Sequence, residues 1–325
     1  MKKRILLTGG AGAVGFETLK ELIHRNDLYE TIVLAKNSKK HHKLLKKYED
    51  RARVFYGDIR DKKTTDAIAK NIDFVIHLAA VIPPLADAEP ELTEQVNIGG
   101  TTNLIESTEK FSPEAFFLYS SSVAVYGDRL SNPWIKVGDK VKASPGDEYA
   151  KTKIKAEKII EASSLNWGIF RLTAVMHPHQ KFDPLMFHMP LETKMEICTT
   201  RDTAYALVQA IENSGRLNKK IFNLSGGEKC RVTYRDFLGT CLTNSGLGKN
   251  AFPDAAFAKA GFHCGYYKDS HELNDILGFQ RDSIDDYYFH FKNGLGKTKP
   301  ILASIFRPVI IRYFLHKSDP YRRFA

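Results

Sequence analysis

The chain has 325 residues, 43% of them apolar and 26% charged, with a mean hydropathy of −0.32. It is too long for one small core and suits one large α/β domain or two coupled ones. The composition excludes a disordered polymer, and no apolar run approaches the roughly 18 residues that cross a bilayer. The net charge of +10 (48 − 38) is uneven: residues 36–53 carry eight Lys/Arg against two acids, and residues 292–325 carry eight against one. Two local basic segments argue against a nucleic-acid partner, which would call for a broadly basic face. The start, Met1-Lys2-Lys3-Arg4, is charged like a leader peptide, but only Ile5-Leu6-Leu7 follows before Thr8-Gly9-Gly10. That is too short for a secretion signal, so a cytoplasmic location is expected. Cys198, Cys230, Cys241 and Cys264 are far apart with no C-x-x-C pair, so buried free thiols are expected rather than disulfides or zinc.

In chain order, Lys3–Thr8 reads as a buried strand ended by glycines. Phe16–Arg25 has helical spacing, with Leu19, Leu22 and Ile23 on one face. Strands are expected at Thr31–Ala35, Arg53–Tyr56, Phe74–Leu78, Ala115–Ser120, Leu165–Leu172 and Lys220–Leu224. Helical patterns at Leu92–Lys110, Tyr149–Ser163 and Asp202–Asn213 separate them. Apolar strands alternating with helices predict a Rossmann-type α/β fold, a doubly wound parallel sheet covered on both faces. After about residue 175 the pattern loosens through Pro178, Pro184 and Pro190. The expected organisation is a dinucleotide-binding domain over 1–175, rejoined by about 201–226, a smaller substrate lobe from 176–200 and 227–293, and a basic apolar tail over 294–325.

Thr8-Gly9-Gly10-Ala11-Gly12-Ala13-Val14-Gly15 follows the first strand and opens a helix. Dinucleotide binding needs that order: one glycine for the tight turn, one for backbone approach to the pyrophosphate, one for close helix packing. The phosphates then meet free N–H groups at the positive helix end. Gly9, Gly12, Ala13, Val14 and Gly15 are the expected contacts. An NAD-preferring site places Asp or Glu at the end of the second strand to receive the ribose 2′-OH. Here the chain reads Ala35-Lys36-Asn37-Ser38-Lys39-Lys40. The absence of a carboxylate and the presence of lysines predict NADP as the preferred cofactor over NAD, with Lys36 the main 2′-phosphate contact and Lys39 the second.

Two further segments carry chemistry: Ser120-Ser121-Ser122 at the end of the fifth strand, and Tyr149-Ala150-Lys151-Thr152-Lys153 opening a helix. The i, i+4 spacing puts Tyr149 and Lys153 on one helical face. An ammonium beside a phenol favours the phenolate, suiting Tyr149 to acid–base work near neutrality. Lys153 also reaches toward the nicotinamide ribose, and Ser122 toward the substrate oxygen. Both segments lie where ligands bind parallel sheets, beyond the carboxyl ends of the strands. The expected catalytic set is Ser122, Tyr149 and Lys153.

Together these motifs resemble the extended short-chain dehydrogenases/reductases of the NAD-dependent epimerase/dehydratase family. T-G-x-x-G-x-x-G is matched by Thr8, Gly9, Gly12 and Gly15, and the Ser-Ser-x-x-Val-Tyr-Gly element by residues 121–127. The resemblance implies cofactor contacts from Asp58 and Ile59 after the third strand, from Leu78, Ala79 and Ala80 in His77-Leu78-Ala79-Ala80, from Asn97 in Asn97-Ile98-Gly99-Gly100-Thr101, and from Thr173. It also implies a homodimer joined through the helices over 92–110 and 149–163. The departures narrow the reaction. Sugar-nucleotide dehydratases of the family carry Thr-Asp-Glu where this chain has Ser122-Val123-Ala124, so the acid that expels water is missing. Nucleotide-sugar epimerases usually carry an Asn where Ala174 stands, and a clear diphosphate-binding Arg is lacking, although Lys181, Lys194 or Arg231 could substitute.

The remaining features are blander. Gly296-Lys297-Thr298 lacks the upstream glycine and strand of a P-loop. His177 and His179 have no further ligand cluster, so no metal is expected. Phe262–Tyr267 reads as packing or as an apolar pocket wall. Ile301–Leu315 is apolar but holds Arg307, Pro308 and Arg312, with Arg322 and Arg323 behind it. Pro308 is expected to break a helix, and the tail either docks on its own subunit or a dimer mate or lies on an anionic membrane surface. The reading that follows is an NADP(H)-dependent oxidoreductase acting on a small carbonyl/alcohol substrate. A nucleotide-sugar epimerase is the alternative, and a catalytically silent cofactor sensor is the alternative of another class.

Overall fold

The computed structural model describes residues 1–259 and 261–322; Arg323 of the basic tail lies outside them. Seven strands form one parallel sheet: β1 (Lys3–Thr8), β2 (Tyr29–Ala35), β3 (Arg53–Tyr56), β4 (Phe74–His77), β5 (Phe116–Ser122), β6 (Asn166–Leu172) and β7 (Lys220–Leu224). Their spatial order is β3-β2-β1-β4-β5-β6-β7. The order reverses between β1, which pairs with β2 on one side, and β4 on the other. A crevice opens at that switch beyond the strand ends. Successive residues of β1 enter opposite cores. Ile5 and Leu7 join Val33 and Phe170 on one face, while Leu6 joins Ile32, Val75 and Phe117 on the other. The strands are therefore apolar throughout because water reaches neither side.

Helix α1 (Ala13–His24) begins three residues earlier than its periodicity suggests, directly after Gly12 as N-cap, and Gly15 in its first turn packs against the glycine turn. A Cβ on Gly15 would stand 2.1 Å from the Gly9 carbonyl oxygen. Gly9 itself has φ +72°, and a Cβ there would meet the Ala79 amide nitrogen at 2.8 Å. Only glycine satisfies both positions.

The helix expected over Leu92–Lys110 is not continuous. Pro90–Glu94 is α-helical, Gln95–Gly99 widens to a π-turn, and α2 (Gly100–Phe111) follows. Asn97, in the wide turn, is buried. Its amide accepts from the Val81 N–H (2.7 Å) and donates to the Val81 carbonyl (3.0 Å) and to Thr152 Oγ1 (3.0 Å). Widened turns of this kind recur near functional sites.

Helix α3 (Glu148–Ala162), capped by Asp147, packs beside β5. From it Glu157 reaches Arg171 on β6 with two bonds of 3.0 and 2.8 Å, both side chains buried. Arg171 also donates to Tyr126 Oη (2.9 Å), which donates to Asn223 on β7 (2.8 Å). Asn223 donates to Asp269 (2.8 Å), whose other oxygen accepts from the Val137 N–H (2.6 Å). One polar chain thus joins α3, β6, β7 and the segments beyond.

A separate apolar core gathers Phe187, Met195, Phe237, Phe257, Tyr287 and Phe291. Lys194–Glu196 pairs antiparallel with Arg231–Thr233 beside it. All four cysteines are buried and free. Gly296 closes helix Ile284–Leu295 with φ +68°, so the P-loop look-alike is a helix end. Pro308 does not break a helix. It sits in the first turn of Arg307–Lys317, where a missing N–H costs nothing, and the break falls at Phe306.

Breaking the Glu157–Arg171 pair from one side leaves a buried charge uncompensated. Glu157→Gln is expected to cost about 3–5 kcal/mol in urea unfolding, and Glu157→Met combined with Arg171→Met substantially less. Equal losses in the two variants would show that the pair is not the source.

Candidate active site

A cleft of about 690 Å³ lies over the carboxyl ends of β1, β2, β4, β5 and β6. Its floor at one end is the glycine turn, with Gly9, Gly12, Ala13, Val14 and Gly15 all lining it. Gly12 caps α1 with no side-chain acceptor, and no acid stands in the first turn. The first helical N–H groups and the positive helix end are thereby left for an external anion. The free N–H groups of this helix start, lining the cleft at Ala13, Val14 and Gly15, are the feature that suits the pyrophosphate of a dinucleotide.

Along the side by β2, Lys36 lines the cleft but Lys39 does not; Lys40 and His41 do. Ser38 caps helix Lys39–Leu45 by accepting from the His41 N–H (3.3 Å). Lys39 is left exposed on the first position of that helix, outside the lining. A cap identifies a helix start more readily than which side each residue faces, so the sequence alone does not say which of these lysines lines the cleft. Asp58 and Ile59 line the same region. Both Asp58 oxygens are engaged by Arg60, at 3.0 and 3.1 Å from its Nε and 2.6 Å from Nη2. Arg60 holds the Asp58 carboxyl below its ordinary range, outweighing partial burial.

Leu78, Ala79 and Ala80 form the middle wall. They are fixed by a buried hydroxyl–imidazole chain that the motif hid. The Leu78 and Ala79 N–H groups both donate to Thr8 Oγ1 at 3.2 Å. Thr8 Oγ1 lies 2.7 Å from His77 Nδ1, and His77 Nε2 lies 2.9 Å from Thr101 Oγ1. Thr101 donates its own proton to the Asn97 carbonyl (2.7 Å). Its oxygen therefore accepts from Nε2–H, and Nδ1 accepts from Thr8. His77 is neutral, pushed down to about 3 by burial and then by Lys153. Asn97 does not line the cleft. Both ends of its amide are taken by Val81 and Thr152. Thr173 does line the cleft, its hydroxyl donating to the Glu196 carbonyl (2.6 Å).

Ser120, Ser121, Ser122, Tyr149 and Lys153 converge at the other end of the cleft. β5 delivers the serines, and α3 delivers Tyr149 and Lys153 from one face. Lys153 Nζ donates to the Ser120 carbonyl at 2.6 Å. It lies 4.6 Å from the Tyr119 ring centre and 5.6 Å from that of Tyr149. The expected lowering of the phenol is not what the packing produces. Burial pushes Tyr149 up to about 12, with the Ser122 hydroxyl pulling it back and Asp147 adding to the rise. Burial also lowers Lys153 to about 7, against the pull of Glu157. A desolvated ammonium occupied with a carbonyl has little left for the phenol, and both groups shift toward their neutral forms. Among the described residues, no group of three or more His, Cys, Asp or Glu is placed to hold a metal.

The Lys153 shift implies a pH-dependent stability. Between pH 7 and 10.5 the unfolded chain binds the proton that the folded chain has lost, so stability rises with pH across that window. In thermal melts, Lys153→Met is expected to compare best with the parent near pH 6 and to lose ground steadily up to pH 10. A Tm difference that is constant with pH would contradict the burial of this charge.

Comparison with known proteins agrees with this architecture. The family model described as the NAD dependent epimerase/dehydratase family matches residues 5–225. The D-erythronate dehydrogenase of Haemophilus influenzae is 26% identical over 159 residues, 48% of this chain and 49% of that protein. A UDP-glucose 4-epimerase of Lacticaseibacillus casei is 30% identical over 168 residues, 51% of this chain and 48% of that protein. The chain thus spans about half the length of these curated relatives. The solved UDP-glucose 4-epimerase of Bifidobacterium longum, in complex with NAD+ and UDP, superposes with a TM-score of 0.73 at 19% identity, covering 92% of this chain and 99% of that one. That likeness is one of fold. With the family model matched over more than half of its length, from β1 to the residue after β7, this chain belongs to the NAD-dependent epimerase/dehydratase family.

Proposed function

We propose that the protein is an NADP(H)-dependent oxidoreductase that interconverts a carbonyl and an alcohol. The observation that carries this reading is the meeting of Ser122, Tyr149 and Lys153 at one end of a cleft whose other end is an uncapped helix N-terminus. A bound nicotinamide dinucleotide supplies the hydride donor or acceptor. Gly9, Gly12, Ala13, Val14 and Gly15 hold its pyrophosphate, and Ile59, Leu78, Ala79, Ala80 and Thr173 bound it along the wall. Lys153 holds the ribose and Ser122 orients the substrate oxygen. With its phenol held up to about 12, Tyr149 carries its proton at neutral pH and enters carbonyl reduction as the acid, delivering that proton to the oxygen. In the reverse reaction the phenolate form of Tyr149 takes the proton from the alcohol oxygen as the hydride leaves its carbon.

Lys36, Lys40 and His41 beside an Asp58 already neutralised by Arg60 support a 2′-phosphate at the adenosine end. In fluorescence titrations NADPH should bind tighter than NADH. Lys36→Glu with Lys40→Glu should cut NADPH affinity roughly 10–100-fold, the scale of one or two charged hydrogen bonds, while sparing NADH. Tighter NADH binding by the parent protein would overturn the preference.

The substrate reading favours a carbonyl compound without a nucleotide diphosphate. Arg231, a candidate for holding such a group, is already committed. It bonds Glu196 (2.7 Å), Glu228 (3.3 Å) and the Tyr267 carbonyl (3.3 Å). The family relatives keep epimerisation as the second reading, in which the cofactor is reduced and reoxidised without net consumption. A screen of ketones, aldehydes and sugar nucleotides with NADPH distinguishes the two: net NADPH oxidation supports the reductase, and product formation without it supports the epimerase. Tyr149→Phe should lower kcat by at least about 100-fold, the ordinary reach of a general acid, with NADPH affinity retained. Activity close to the parent's would remove Tyr149 from the reaction.

A homodimer through α2 and α3 belongs to the same proposal. The outward residues there are charged, and Lys155 and Glu94 already pair at 2.7 Å within one chain. Sedimentation at low and high salt tests it, since a contact of this kind weakens as salt rises.

A further inference from the structure

The C-terminal segment has two unlike sides. Helices Thr298–Ile305 and Arg307–Lys317 meet at Phe306. Their inner side is docked. Ile310, Ile311, Phe314 and Leu315 pack against the second core, with the Phe314 ring 6.1 Å from Phe252. Arg307 Nε donates to the Leu247 carbonyl (2.7 Å) and Ser318 Oγ to the Ala256 carbonyl (2.7 Å). The outer side is apolar and uncovered. Ile301, Leu302, Ile305, Phe306, Val309 and Tyr313 are each more than half exposed, from 53% at Leu302 to 67% at Val309. They follow one another at helical spacing across both helices, making one continuous strip. A strip of this size is uncommon on a chain that faces only water.

Its rim is cationic. Lys297, Lys299, Arg312 and Lys317 are exposed around it, in a segment, 292–325, with eight Lys/Arg and a single acid. That charge selects the occupant. A second copy docking by two-fold symmetry would bring two such segments face to face, and like charges would oppose it. An anionic lipid surface is drawn to the rim and accepts the apolar strip between its headgroups, as amphipathic interfacial helices do. Among the described residues, no helix is long and apolar enough to cross a membrane. We propose that this face seats the protein on the surface of an anionic bilayer, with the strip from Ile301 to Tyr313 inserted at headgroup depth and the lysine–arginine rim against the lipid charges.

The test is flotation of the full chain with vesicles of phosphatidylcholine alone or mixed with phosphatidylglycerol. Binding is expected to the mixed vesicles, to weaken with added salt, and to be slight on phosphatidylcholine. Ile305→Asp with Val309→Asp should lower the bound fraction about tenfold or more, since both side chains lose insertion and gain repulsion. Both positions are exposed, so Tm and NADPH binding should match the parent. Parent protein that stays out of the mixed-vesicle fraction overturns the proposal, as does a double variant that floats equally well. Sedimentation velocity supplies the remaining outcome: a dimer dissolved by the same double variant would assign the strip to a second copy and overturn the lipid assignment.

Discussion

The site is organised around a lysine ammonium kept out of water. Lys153 is 2% exposed, and its donation to the Ser120 carbonyl ties α3 to the end of β5. That bond brings the serines of one element and the tyrosine of the other to a common wall. The cation is unfavourable where it sits, and the packing answers by lowering its proton affinity rather than by giving it a close carboxylate. Glu157, one turn along α3, is turned toward Arg171 instead. The ammonium in the cleft is thus left without a bonded carboxylate, while the nearby Glu157 pairs with Arg171.

Around that point the protein replaces water with polar chains having few loose ends. Thr8, His77, Thr101 and Asn97 form one, Glu157, Arg171, Tyr126, Asn223 and Asp269 the other. The first fixes the backbone of the cleft wall from beneath, and a neutral imidazole is what lets it do so. The second crosses from the helix bearing Tyr149 to segments beyond the sheet, so the position of α3 is coupled to parts of the chain far from it in sequence. Such networks add less to net stability than an apolar core of the same volume, but they allow few alternative arrangements.

The two basic segments noticed in the sequence divide in the fold. The first splits within a few residues: Lys36 and Lys40 face the cleft, while Lys39 is exposed outside its lining. The second rims an apolar strip on helices whose other side is held by the second core. In both, the charge lies beside a distinct surface, the cleft in one and an uncovered apolar face in the other.

The sequence alone determined the parallel sheet, the glycine turn and the residues at its strand ends, because each rests on local rules. Those rules are unbroken apolarity for strands buried on both faces, the steric demand at Gly9 and Gly15, and the four-residue spacing of Tyr149 and Lys153. It did not determine that both ends of the Asn97 amide would be held by Val81 and Thr152, that Lys40 and not Lys39 would line the cleft, or that Pro308 would begin a helix rather than end one. Nor did it yield the direction of the Tyr149 and Lys153 shifts, since a pairwise argument counts the attraction between two groups and omits the water both have lost. Desolvation, helix facing and the partners of buried side chains depend on atoms far apart in the chain, and only tertiary packing assembles them.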